Sequence, residues 1–128
     1  MATATEFKVT LENRPGTLAT LMEALGKANV NVEGLQGMDS GGKGVVQFVT
    51  NNPDAAGRAL SAAGIQYTTR QVLLVTIPNR PGEGGRAARA LADAGINVDG
   101  VYITFAGQVV LGVDKLAEAQ AVASKLGV

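Results

Sequence analysis

The sequence has no cysteine, no histidine and no tryptophan among its 128 residues. Without cysteine there is no disulfide and no thiolate nucleophile, and without cysteine or histidine the usual zinc ligand sets cannot form. The absence of histidine also removes the side chain that most often acts as a general base near neutral pH. We therefore expect no catalytic residues, no metal site and no cofactor.

Charge of one sign is also lacking, and aromatic residues are few. Eleven lysine and arginine residues balance eleven aspartate and glutamate residues, and aromatic residues make up 4% of the chain. A nucleic-acid-binding surface needs an excess of positive charge, and binding of single strands needs aromatic rings for stacking. The composition therefore predicts no nucleic-acid partner.

Long hydrophobic runs are absent as well. Residues 1–6 contain no basic region followed by an apolar stretch, so the sequence predicts no signal peptide. The longest apolar runs, such as Val72–Val75, are far too short to span a bilayer. We expect a cytoplasmic protein that does not bind a membrane.

What the sequence does contain is one motif used twice. Asn13–Gly16 and Asn79–Gly82 both read Asn-Arg-Pro-Gly, and their spacing, 79 minus 13, is 66 residues. A Val-Thr pair before the motif, an Ala-Leu pair after it and an Asn-Val-acidic-Gly segment further on recur at the same offset. One spacing kept across several predicted elements indicates a structural unit used twice. We assign residues 1–70 to the first unit and residues 71–128 to the second.

Hydrophobic periodicity predicts the order β-α-β-β-α-β in the first unit. Alternating apolar residues predict a strand at Phe7–Leu11, and apolar residues at helical spacing predict a helix over about Thr17–Ala28. The remaining elements are a hairpin of strands Val32–Met38 and Val45–Thr50, a helix capped by Asn52 with Pro53 at its first position, and a strand over Ile65–Arg70. This order predicts an α+β, ferredoxin-like fold: an antiparallel sheet with two helices on one face.

The second unit repeats the pattern with differences. Its first strand, Val72–Ile77, follows the first unit without a turn signal, so we expect one long strand to join the two sheets. Its first helix begins with Glu83–Arg86, and each glycine there costs about 1 kcal/mol relative to alanine. A hairpin of Val98–Phe105 and Gln108–Val113 follows, and Asp114 is predicted to cap the last helix.

No strand is predicted after that helix, so the second unit lacks its last strand. Such a loss leaves backbone N–H and C=O groups unpaired at the sheet edge, which favours pairing with another chain. We therefore expect a homodimer, with cover of the edge by residues 1–6 or by water as the alternative.

Each Asn-Arg-Pro-Gly motif joins a strand to a helix. The first N–H groups of a helix have no internal partner, and the helix dipole adds partial positive charge. Glycine lets a ligand approach the backbone, and asparagine supplies both a donor and an acceptor, which together favour a small zwitterion. The alternative is that both motifs are ordinary turns. The candidate ligand-binding residues are Asn13, Arg14, Pro15, Gly16, Thr17, Leu18 and Asn31 in the first unit, and Asn79, Arg80, Pro81, Gly82, Glu83, Gly84 and Asn97 in the second.

Together, the strand, the Asn-Arg-Pro-Gly loop, the helix and the Asn-Val-(Glu/Asp)-Gly segment resemble the ACT domain, a regulatory module that binds amino acids. The resemblance covers nearly the whole chain as two ACT units in tandem. Leu11 and Ile77 stand where the regulatory domain of phosphoglycerate dehydrogenases has a histidine. The resemblance implies side-by-side pairing with effectors at the seam, a metabolic enzyme as regulated partner, and effector-binding roles for Asn13, Asn31, Asn79 and Asn97.

Other interpretations fit parts of the sequence. Gly82–Ala87 matches the G-x-G-x-x-A pattern of dinucleotide-binding sites, but too few residues follow for a doubly wound sheet. Ser40–Gly44 looks suited to phosphate but joins two strands and opens no helix. Acylphosphatases share the ferredoxin-like topology, but their Val-Gln-Gly-Val loop is absent here. The sequence therefore favours a non-catalytic regulatory protein that senses an amino acid. The alternative is an interaction module or a detached regulatory subunit that docks on a metabolic enzyme.

Overall fold

The computed structural model describes residues 2–128, which form six strands and four helices. They divide into two compact units. The N-terminal unit is Thr5–Arg70, and the C-terminal unit is Gln71–Val128 together with residues 2–4. Along the chain the elements are β1 (Ala2–Glu12), α1 (Thr17–Lys27), β2 (Val32–Ser40), β3 (Lys43–Thr50), α2 (Pro53–Ala62), β4 (Thr68–Val75), α3 (Glu83–Asp93), β5 (Val98–Ile103), β6 (Val109–Val113) and α4 (Leu116–Leu126).

The sheet of the N-terminal unit has the antiparallel order β2-β3-β1. Phe7 of β1 pairs with Phe48 of β3, and the two rings stack with centroids 5.4 Å apart. Leu21 and Leu25 of α1 and Leu60 of α2 are fully buried in the same apolar cluster. Both helices therefore cover one face of the sheet, as a ferredoxin-like fold requires.

The C-terminal unit has the antiparallel order β4-β6-β5. Its core joins Leu73 and Val75 of β4 to Leu91 of α3 and to Ala119 and Ala123 of α4. No strand follows α4 in the described chain, and residues 2–4, which begin β1, group with this unit. The chain is thus an α+β protein of two tandem ferredoxin-like units, the second without its last strand.

The strand that connects the units is continuous but shorter than predicted. Instead of Ile65–Arg70 followed by Val72–Ile77, the structure has the single strand β4 over Thr68–Val75. Ile65 is not a strand residue because its N–H donates to Leu60 O over 2.9 Å, which closes the end of α2. Its side chain packs against the core of the N-terminal unit.

Two predicted caps have different outcomes. Asn52 caps α2 as expected, and its Oδ1 accepts a hydrogen bond from Ala55 N at 3.1 Å. The prediction that Asp114 caps α4 is wrong, because Lys115 is the N-cap residue and makes no side-chain cap bond. Asp114 Oδ1 instead accepts from Asn97 N at 3.0 Å, which ties the end of β6 to the start of β5.

Candidate functional site

The two Asn-Arg-Pro-Gly loops have the same backbone conformation. Gly16 and Gly82 are the N-cap residues of α1 and α3, with left-handed φ angles of 95° and 87°. Glycine adopts this conformation without the steric cost of a Cβ atom. The Arg14 N–H donates to Glu12 O and the Arg80 N–H to Pro78 O, both over 2.9 Å. No side chain caps either helix, so the first turn of each keeps backbone N–H groups available.

The loop of the N-terminal unit is tied to the tip of the β2–β3 hairpin. Asn13 Nδ2 donates to Asp39 Oδ1 over 3.0 Å, and the same oxygen accepts from Gly42 N at 3.2 Å. Lys43 Nζ forms an ion pair with Glu12 Oε1, and this hydrogen bond and the lysine charge lower the pKa of the Glu12 carboxyl group. We call these two cross-links, Asn13–Asp39 and Glu12–Lys43, the latch. The latch therefore engages the Asn13 amide and the Glu12 carboxylate of the first loop in bonds to their own chain.

The loop of the C-terminal unit opens onto a cavity of about 570 Å³. Asn79 and Arg80 of the loop and Gly84 of the first helical turn lie at its wall. The remaining lining is almost entirely apolar and comes from the segment just before the motif, α3, β5, the turn after it and β6: Ile77, Pro78, Ala87, Ala88, Leu91, Val98, Val101, Ile103, Gly107, Val109 and Leu111. A cavity of this volume with a few polar groups at one side is typical of small-molecule sites.

The cavity exists because α3 carries smaller side chains than α1. At the offset of 66 residues, Gly84, Ala87 and Ala88 replace Leu18, Leu21 and Met22. In α1, Leu21 is fully buried and Met22 packs against the core, so side chains fill the corresponding space. A comparison of the two repeats by side-chain volume is the signal that could have identified these lining residues.

The outer wall of the cavity belongs to β5, which is the edge strand of the sheet. Val101 pairs with Leu111 and Ile103 with Val109, so all four side chains project from the same face. Val101 and Ile103 remain 57% and 67% exposed because the small residues of α3 do not cover them. The cavity is thus open toward solvent along β5.

The electrostatics of the second loop favour an anion. Glu83 Oε1 accepts from Arg80 Nη2 at 3.1 Å, and Glu83 Oε2 accepts from Arg86 Nε at 3.3 Å. One carboxylate therefore faces two guanidinium groups, which leaves a net positive charge beside the start of α3. The helix dipole adds to this charge.

The structure brings only part of the predicted site together. Asn97 is exposed and does not line the cavity. Its N–H donates to Asp114 Oδ1, just after β6, as the N–H of Asn31 donates to Asn51 Oδ1, just after β3. In the first loop, the Thr17 hydroxyl donates to Glu12 O over 2.8 Å, so it stabilises the turn. The other loop residues, Arg14, Pro15, Leu18 and Pro81, are exposed.

Other features of the described residues offer less chemistry. A shallow depression of about 640 Å³ on the N-terminal unit, between α2 and β1, does not include the Asn-Arg-Pro-Gly loop of that unit and is lined in part by Asp54, Arg58 and Tyr67. Among residues 2–128, no group of three or more acidic side chains is placed to hold a metal ion. None of the described helices is both long and apolar enough to cross a membrane.

Comparison with protein families gives a match over nearly the whole chain. The family profile described as an ACT domain pair matches residues 2–125. A search of curated proteins finds no match.

Several solved structures share this fold, and one of them is a regulatory subunit of aspartate kinase. A protein of Bacteroides thetaiotaomicron superposes with a TM-score of 0.90 at 23% identity, over 98% of this chain and 89% of the other. The ligand-free regulatory subunit of aspartate kinase from Thermus thermophilus has a TM-score of 0.69 at 16% identity, over 95% and 88% of the two chains. The aspartate kinase of Synechocystis also has a TM-score of 0.69 at 16% identity, over 98% of this chain but 26% of the enzyme.

Proposed function

This chain belongs to the ACT domain family as an ACT domain pair, and from that we propose that it is a non-catalytic regulatory protein that binds a free amino acid at its Asn-Arg-Pro-Gly loops. The observation that supports this most directly is the cavity of about 570 Å³ at the second loop. It combines exposed polar groups at one side with an apolar interior, which is the arrangement that orients a small amphiphilic ligand.

The chemistry of the loop fits the two charged ends of an amino acid. Gly84 N has no hydrogen-bond partner among the described residues, and it lies in the positive field of the α3 N-terminus. A carboxylate is the group that such N–H donors and Arg80 favour. The Asn79 side chain supplies an oxygen acceptor for an ammonium group.

The response to an effector is proposed to reach an enzyme. Structures with this fold include a regulatory subunit of aspartate kinase and a part, 26% of the length, of a longer aspartate kinase chain. We propose that this chain acts in the cytoplasm as a homodimer and controls a metabolic enzyme.

A thermal-shift screen of the full chain against the twenty amino acids, with nucleotides as controls, tests this function. A ligand at 100 times its Kd stabilises the folded state by about 2.7 kcal/mol, which raises Tm by several degrees in a protein of this size. We expect one or a few amino acids to raise Tm and the nucleotides to leave it unchanged. A folded protein that responds to no amino acid would contradict the sensor function.

The alternative function, docking on an enzyme without an effector, is favoured by one specific feature. β5 is an edge strand whose exposed apolar residues Val101 and Ile103 are followed by Phe105, which is 84% exposed. Exposed apolar patches of this kind are common at interfaces. Co-purification of an enzyme with this chain, lost on Phe105→Lys and unaffected by amino acids, would favour docking over sensing.

A further inference from the structure

We infer that the two repeats have diverged, so that only the C-terminal unit binds the effector, and that the effector is an amino acid with an apolar side chain. The inference rests on the proposed function, because it names the site and the ligand class of the same sensing activity. It predicts one bound amino acid per chain in place of two equivalent sites.

The first loop is already satisfied by its own chain. Asn13 donates to Asp39 over 3.0 Å, and Glu12 is paired with Lys43. Met22 packs against the core on the face of α1 that corresponds to the cavity wall of α3, whereas Leu18 is 49% exposed. A ligand at this loop would have to break the latch and displace Met22.

The second loop keeps Asn79, the counterpart of Asn13, but lacks the other groups that the latch needs. At the offset of 66 residues, Pro78 replaces Glu12 and Phe105 replaces Asp39, so neither the ion pair nor the amide bond can form. The β5–β6 hairpin is also shorter than the β2–β3 hairpin. In each unit a hydrogen bond joins the residue before the first strand of the hairpin to the residue after its second strand. These two residues are 20 positions apart in the first unit and 17 in the second. The Asn79 side chain has no hydrogen-bond partner in the described chain. Its amide is therefore available to a ligand in the cavity it lines.

The walls of the cavity select the side chain of the ligand. Beyond Asn79 and Arg80, the lining has no charged or amide side chain and consists of aliphatic residues, alanine, proline and glycine. A polar or charged ligand side chain that enters this interior would lose its hydration without gaining a partner. Aliphatic and aromatic side chains instead gain about 25 cal/mol for each Å² of apolar surface removed from water. Leucine, isoleucine, valine, methionine and phenylalanine are therefore the expected ligands.

A matched pair of variants tests the site. Gly84 lines the cavity and Gly85, the next residue of the same helical turn, does not. A Cβ atom at either position meets no atom within 4 Å, and neither residue has a positive φ angle, so a side chain can begin at both positions without a clash at Cβ. Gly84→Leu restores the residue found at the equivalent position of α1, and Gly85→Leu is its control. Ala88→Met, which restores the counterpart of Met22, is a second way to fill the cavity.

The readout is isothermal titration calorimetry of the full chain with each of the five apolar amino acids, and with serine, aspartate and lysine for comparison. We expect binding of at least one apolar amino acid at one site per chain. Gly84→Leu and Ala88→Met are expected to weaken that binding by about tenfold or more, whereas Gly85→Leu and Asn13→Ala leave Kd within about twofold of the wild-type value.

The possible failures are distinguishable. Two sites per chain, a response to polar amino acids only, or full affinity in Gly84→Leu would overturn this inference and leave the sensor function standing. An absence of heat with all eight amino acids and of any thermal shift in the wider screen would overturn both.

Discussion

At the residue scale, the two motif glycines are equivalent in conformation but not in surroundings. Gly16 and Gly82 both hold left-handed φ angles at the start of a helix. Gly16 stands beside a loop whose polar side chains are engaged, and Gly82 beside a cavity. The same substitution at both positions therefore separates a general effect on the backbone from an effect on ligand binding.

We expect Gly82→Asp to abolish effector binding and Gly16→Asp to preserve it. An aspartate at the N-cap accepts hydrogen bonds from the N–H groups of the first turn and repels a ligand carboxylate. The strain of a side chain at positive φ opposes the gain from capping, so each variant is expected to change the free energy of unfolding by about 1 kcal/mol or less. Calorimetry and urea denaturation of both variants measure the two effects. Equal loss of binding in both would contradict the division of roles between the loops.

The latch makes a second prediction at this scale. The hydrogen bond and the charge of Lys43 hold the pKa of Glu12 below its ordinary value of 4.5. A carboxylate with a lowered pKa stabilises the fold above its unfolded pKa, and this contribution is lost as the pH falls through the folded pKa. Since Glu12 and Lys43 are both exposed, we expect little effect on overall stability. An NMR titration should show Glu12 titrating below pH 4.5 and returning to its ordinary pKa in Lys43→Ala, and an unshifted Glu12 in the wild type would show that the latch does not form in solution.

At the element scale, all four helices end in the same way. Each is followed by a residue with positive φ, and the N–H of the next apolar residue bonds back to a carbonyl five residues earlier. These pairs are Val30 with Leu25, Ile65 with Leu60, Ile96 with Leu91, and Val128 with Ala123. The residue with positive φ is glycine in three helices and Asn29 in α1. This arrangement satisfies the last carbonyl groups and places an apolar residue against the core.

Substitution at these helix ends should change stability in a predictable direction. We expect Gly95→Ala to lower the free energy of unfolding by about 1 kcal/mol, because alanine pays the steric cost of the left-handed conformation. Asn29→Gly should leave it unchanged or raise it by a few tenths of a kcal/mol. Urea denaturation followed by circular dichroism measures both, and Gly26→Ala, inside α1 with no neighbour within 4 Å, is the control that should stabilise. A destabilisation by Gly26→Ala as large as that by Gly95→Ala would refute the role of positive φ.

Element type could be predicted from the sequence more reliably than the details that create the site. Alternating and helical spacing of apolar residues, with Asn52 before Pro53, predicted the order of strands and helices. The sequence wrongly predicted that Asp114 caps α4. An aspartate just before a helix can act as a cap, but it can equally accept a hydrogen bond from the neighbouring Asn97 N–H, as it does here. The cavity could not be read from periodicity, because Ala87 and Ala88 continue the apolar stripe of α3 while leaving space where α1 has Leu21 and Met22.

At the scale of the whole molecule, the repeat allows the two units to share one fold and to differ in function. A duplicated unit lets one copy keep the packing while the other copy gives up side-chain volume to form a cavity. The repeat and the family resemblance together predicted two ACT units, and the family match over residues 2–125 confirms this assignment. In our proposal, the copy that binds is the one that lacks bulky helix side chains and a latch, and both copies keep the same motif.

The exposed residues at the β5 edge give a prediction about assembly. Val101, Ile103 and Phe105 are unusually exposed for apolar residues, and β5 carries no lysine or proline that would discourage pairing of strands. We expect a homodimer in sedimentation equilibrium and a monomer for the variant Ile103→Lys/Phe105→Lys. The matched change Met38→Lys, on the edge strand β2 of the N-terminal unit, should leave the dimer intact. A wild-type monomer, or dimers in all variants, would contradict assembly through β5.

The central claim is that an apolar amino acid binds in the cavity of the C-terminal unit. The most direct test is a ¹H–¹⁵N NMR titration of the full, isotopically labelled chain with the amino acid that gives the largest thermal shift. We expect chemical-shift changes concentrated in residues 77–91 and 98–111, with the resonances of residues 12–18 unaffected. Equal changes at the first loop, or changes confined to other surfaces, would contradict it.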